Sequence, residues 1–137
     1  MTDKRLSEHS ERIICELPMK LPSLNDYVRA CRANRFEGAK MKKRLEKEIG
    51  LFVRRLPVIS DPVRITFIWQ EKNKRRDYDN IAFAKKFILD ALVKEGRLKD
   101  DNRKCVAGFV DCFSYGDEWK VTLVIERKDD ESERADP

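Results

Sequence analysis

Histidine occurs once, at His9, and none of the four cysteines stands in a C-x-x-C pair, so the usual donors of a zinc site are missing. Cys15, Cys31, Cys105 and Cys112 are instead expected as free thiols packed like small hydrophobic side chains. No apolar run approaches the roughly 20 residues that cross a bilayer, and the opening stretch MTDKRLSEHSER has no signal-peptide h-region. These absences predict a soluble, cytoplasmic protein with no membrane partner and no nucleotide cofactor. Internal repeats and low-complexity segments are missing as well.

What is present is a chain of 137 residues, the size of one domain, with 41% hydrophobic and 40% charged residues. Such a chain buries a modest core under a surface dense in charge. The net charge of +5 favours polyanions, nucleic acid foremost. Residues 1–11 are polar and 128–137 almost wholly charged, so both ends are expected to be flexible around a folded domain of 12–127.

Within that domain, Ile13 to Leu17 reads as a short strand ended by Pro18. Leu24 to Leu56 predicts one or two helices, softly broken at Gly38 and Gly50 and closed by Pro57. The run VRITFIWQ, Val63 to Gln70, alternates as a strand does. A helix is expected from about Asn80 to Lys94, stopped by Gly96, with Ile81, Ala84, Ile88 and Ala91 facing the core. Two closing runs, Val106 to Phe113 and Trp119 to Ile125, flank a turn at Ser114 to Asp117 that reads as a hairpin. The order β-α-β-α-β-β predicts an α+β fold: a small mixed sheet with helices packed on one face.

The chemistry concentrates in RRDYDN, where Asp77 and Asp79 stand at the junction of a basic loop and a helix start, and in the later pair Asp100 and Asp101. Clustered carboxylates repel one another unless a cation keeps them ionised. Oxygen donors without histidine or cysteine suit Mg²⁺ or Mn²⁺. Phosphodiester hydrolysis needs an activated water and a Lewis acid, which ions held by acidic side chains provide. Lys72, Lys74, Arg75 and Arg76 would grip the flanking phosphates. The plainer reading stays open on spacing alone: Asp77 and Asp79 as helix caps, Asp100 and Asp101 as turn formers, the loop as a solvated surface.

The run from Arg75 to Asp101, RRDYDNIAFAKKFILDALVKEGRLKDD, resembles the signature of the RusA family of crossover-junction endodeoxyribonucleases: an R-D-x-D-N element, a D-A-L down the helix, a glycine, then D-D. Upstream, Leu21 to Tyr27, LPSLNDY, is similar to the family's P-x-S-x-N-x-Y segment. The resemblance spans about Arg12 to Arg127. It implies a homodimer that recognises four-way DNA junctions and cuts two opposed strands symmetrically with Mg²⁺ or Mn²⁺, in DNA recombination and repair. It further implies that Asp77, Asp79 and Asp101 are the catalytic, metal-binding carboxylates and that Arg76 contacts DNA.

The family's prototype has a catalytic lysine four residues after the second aspartate, where this chain has Phe83. Counting back from Asp90, Lys86 takes that place, either stabilising phosphate charge or forming a helical ion pair with Asp90. Lys85 is expected to point elsewhere, onto the surface. Tyr27, Phe36 and Tyr78 are candidates to wedge against an exposed base, or else core residues like Phe67, Trp69, Phe109 and Phe113. Three other activities compete: a broader nuclease of flaps and forks, a non-catalytic DNA-junction binding module, and a protein-interaction adaptor.

Overall fold

The computed structural model describes residues 12–60 and 62–128; the segments expected to be flexible, 1–11 and 128–137, lie outside these except for Lys128. The elements are β1 (Arg12–Leu17), α1 (Leu24–Ala33), α2 (Glu37–Val53), β2 (Val63–Glu71), α3 (Tyr78–Ala82), α4 (Lys85–Lys94), β3 (Val106–Tyr115) and β4 (Lys120–Arg127). The four strands form one mixed sheet in the order β1-β4-β2-β3, with β2 and β3 parallel and the other pairs antiparallel. The fold is α+β, with the helices on one face. Among the described residues no helix is long and apolar enough to cross a membrane.

Alternation along β2 explains that face. Val63, Ile65, Phe67 and Trp69 are buried while the residues between them are half-exposed, and the register sets Ile65 opposite Ile125, Phe67 opposite Leu123 and Trp69 opposite Val121. Leu45, Ile49 and Val53 of α2 recur every four residues and complete the core with Phe87, Ile88, Ala91 and Leu92 of α4. The expected stripe of Ile81, Ala84, Ile88 and Ala91 is buried throughout.

Several local expectations are corrected. The first helical stretch is broken at Asn34, whose side-chain oxygen accepts from the Phe36 and Glu37 N–H groups, and not at the glycines. Gly38 and Gly50 lie inside α2, where a Cβ would press on the Cys31 sulfur and on the Glu95 carboxylate. The helix expected over 80–94 is two helices: N–H groups of Ala84, Lys86 and Phe87 bond three residues back, at 3.2, 3.1 and 3.0 Å, tightening the chain at Phe83 and Ala84. Phe83 and Phe87, four residues apart, both meet the Tyr27 ring, at 5.5 and 5.6 Å between centroids.

The closing strands are not a hairpin, because β2 lies between β3 and β4. Their connection crosses the end of β2, where the Gly116 N–H donates to the Glu71 carbonyl at 3.0 Å and Gln70 Nε2 donates to the Glu118 carbonyl at 2.9 Å. A Cβ at Gly116 would meet Gln70 Nε2 at 2.6 Å, so a larger residue there would push aside the amide that bonds Glu118. As β3 is an edge strand, Phe109 is 43% exposed and outside the core expected for it. Cys31 and Cys112 are also exposed, against the packing expected of them, while Cys15 is buried.

Candidate active site

The loop after β2 carries the basic residues and splits them into two kinds. Lys72, Lys74 and Arg75 are exposed, with the Arg75 N–H donating to the Asn73 side chain at 3.0 Å to turn the chain. Arg76 points inward. Its Nε and Nη2 donate to the two Glu71 oxygens at 2.8 and 2.7 Å, its Nη1 donates to the Leu21 carbonyl at 2.8 Å, and the Trp119 ring lies 5.4 Å from it. With side chains 15% and 5% exposed, Arg76 and Glu71 form a bidentate buried pair, so this arginine clamps the loop to the segment before α1.

That segment is the other half of the site. Ser23 caps α1 with a reciprocal box: its hydroxyl accepts from the Asp26 N–H at 3.1 Å and its N–H donates to the Asp26 carboxylate at 3.0 Å. The Ser23 backbone hydrogen bond, above all, holds the Asp26 carboxyl below the usual carboxylate range. Two residues past the cap, the Asn25 N–H donates to Asn80 Oδ1 at 3.1 Å. Thus LPSLNDY and RRDYDN, distant in the chain, are locked together by Arg76 and Asn80.

Asp77 occupies the N-cap position of α3 with extended backbone, yet its carboxylate makes no capping hydrogen bond. The capping role open to it on sequence is therefore not the one its carboxylate performs. Asp79 is exposed in the first turn, its Oδ1 accepting from the Asn80 N–H at 3.0 Å. In the later pair the two aspartates divide their tasks. Asp100 is used by the turn, accepting from the Asp101 N–H at 2.7 Å and the Asn102 side chain at 3.1 Å. Asp101 faces Lys86, whose ammonium lies 3.6 Å from Asp101 Oδ2 and 3.3 Å from Asp90 Oδ1.

Lys86 thus makes the helical pair and reaches the later aspartate as well. The charge of Asp90, with smaller help from Asp101, raises its pKa above the ordinary lysine value. Asp90 is a residue the sequence reading left outside the site: its Oδ2 is buried and accepts no hydrogen bond, with the Lys42 ammonium at 3.5 Å as a counter-charge only. Lys85 does point elsewhere, but into a half-buried pair and not onto the surface. It donates to Asp111 Oδ2 at 2.7 Å while Trp69 Nε1 donates to Asp111 Oδ1 at 2.9 Å. Asp111 and Glu71 were both open to discovery in the sequence, since each stands on the inward phase of its strand, where a carboxylate needs a partner.

Oxygen donors of Asp77, Asp79 and Asp101 have the chemistry of a hard divalent cation, and the uncapped Asp77 carboxylate is one the helix does not consume. Among the described residues no three His, Cys, Asp or Glu side chains converge into a ready-made cation cage; Asp77 and Asp79 stand at the start of α3 and Asp101 across from Lys86 on α4. Of the candidate wedges, Tyr27 is packed against Phe83 and Phe87, while Phe36 and Tyr78 are each 59% exposed. In comparison with known proteins, no family model matches the chain, and no curated protein matches it.

Proposed function

We propose that the protein is a Mg²⁺- or Mn²⁺-dependent, structure-selective DNA endonuclease that resolves four-way junctions by paired, symmetric nicks, acting as a homodimer in DNA recombination and repair. The observation that carries this reading is the interlock of Leu21–Tyr27 with Arg76–Asn80. The two stretches on which the RusA resemblance rests are bonded to each other across 55 residues of chain, twice, beside Asp77 and Asp79. Motifs scattered over a surface would have no such reason to meet.

In this reading Asp77, Asp79 and Asp101 are the residues that would hold a divalent metal, which would supply Lewis-acid polarisation of the phosphate and lower the pKa of a bound water. Lys86, kept cationic by its two aspartates, offers a charge on a flexible stem to the phosphate oxygens as negative charge grows there. Lys72, Lys74 and Arg75 bind the neighbouring phosphates. Arg76 sets the position of the loop that presents them.

Cleavage of a synthetic mobile four-way junction, beside linear duplex and a flap, with and without Mg²⁺, tests the proposal. Wild type is expected to nick the junction in pairs, and Asp79→Asn to bind it without cutting. Junction binding by wild type with no cutting at any metal concentration would make the protein a binding module. Equal cutting of the flap would make it a broader branched-DNA nuclease.

A further inference from the structure

Tyr78 stands between the two aspartates of the loop-helix junction and is 59% exposed, an unusual setting for a large ring. It is nonetheless held firmly. Its ring stacks on Phe113 with centroids 4.2 Å apart and planes 20° from parallel, and Tyr115 follows Phe113 two residues on along the same strand. Tyr115 is itself 44% exposed, with the Lys74 ammonium 5.3 Å from its ring centroid. Because β2 and β3 run parallel, Phe113 and Tyr115 end their strand where the basic loop leaves β2. One face of the ring is thus covered by Phe113, and Lys74 of the basic loop lies over the adjoining Tyr115.

We propose that Tyr78, braced by Phe113, is a stacking platform for an unpaired nucleobase next to the scissile phosphate. An exposed aromatic at the end of a basic loop, here Lys72, Lys74 and Arg75, matches the recognition chemistry of single-stranded nucleic acid: the ring takes the base and the cations track its phosphates. A peptide or lipid partner would call for an apolar surround, whereas Tyr78 is bracketed by Asp77 and Asp79. A base inside a continuous duplex has both faces occupied; a base at a branch has one free. The platform therefore converts base stacking into a preference for branched over linear DNA. Its place beside the scissile phosphate rests on the nuclease reading of the aspartates, whereas the stacking itself does not.

The test is equilibrium binding, in EDTA, of a flap DNA carrying 2-aminopurine at its first unpaired position, against a fully paired duplex of the same sequence. Wild type and Tyr78→Phe are expected to quench the 2-aminopurine and to prefer the flap. Tyr78→Ala should lose the quenching and about tenfold of the flap affinity, with duplex affinity unchanged. Tyr78→Leu, which keeps the bulk against Phe113, should behave as Tyr78→Ala does and guards against a folding effect. Quenching retained in both of these variants, or an equal loss of affinity for both DNAs, would overturn the platform. Cleavage of the same DNAs by wild type in Mg²⁺ separates the two proposals: quenching without cleavage leaves the platform and removes the nuclease, and cleavage with quenching untouched by Tyr78→Ala does the reverse.

Discussion

At the scale of single residues, neighbouring arginines do different work. Arg76 is enclosed, and truncating it strands the Glu71 carboxylate, whose side chain is 5% exposed, without its counter-charge. Breaking a buried pair from one side costs about 3 kcal/mol, so Arg76→Ala is expected to lower the urea-unfolding free energy by about that amount. Arg75 is exposed, and Arg75→Ala should leave stability unchanged while weakening DNA binding. If the two variants destabilise equally, the assignment of clamp and grip is wrong. Asp111 makes a parallel case. It accepts from both Lys85 and Trp69, and Asp111→Ala would leave a lysine that is 19% exposed unpaired, with an expected loss of about 2 kcal/mol, again read from unfolding.

At the scale of elements, the start of α1 carries a pH dependence whose sign follows from its hydrogen bonds. The Asp26 carboxyl is lowered, foremost by the Ser23 N–H and with help from the Ser23 hydroxyl, so it adds stability above the unfolded carboxylate value, near pH 4, and loses it as pH falls through the folded value. The melting temperatures of wild type and Asp26→Asn should differ at pH 7 and converge in acid; a difference constant down to pH 2 would contradict this origin. The neighbouring cap has a conventional magnitude, with Ser23→Ala expected to cost about 1 kcal/mol. Helix starts of this kind are legible in sequence because they depend on residues three apart, as in Ser23 and Asp26. The break between α3 and α4 is not. It lies in the i→i−3 bonds of Ala84, Lys86 and Phe87, and no glycine or proline marks it in the sequence.

For the whole molecule, the net charge of +5 and the exposed Lys72, Lys74 and Arg75 predict binding that weakens steeply with salt. Replacing all three with Gln should reduce the slope of log affinity against log salt by about three, close to one per phosphate contact, in titrations at several salt concentrations. An unchanged slope would place the DNA on another surface. The period-two run of β2, the buried stripe of Ile81, Ala84, Ile88 and Ala91, and the helix stop at Gly96, with φ of 71°, were all determined by local sequence. So were the carboxylate-rich segments themselves, because each is contiguous. What tertiary structure alone decided is which of these groups are spent and which remain free. Arg76 is absorbed by Glu71, Asp100 by its own turn, and Lys86 is shared between Asp90 and Asp101. The place of β2 between β3 and β4 was hidden for the same reason: adjacent strands joined by a short turn read as a hairpin until a third strand's hydrogen bonds claim both. A side chain's type is written in the chain, but its partner is chosen by packing across the sheet.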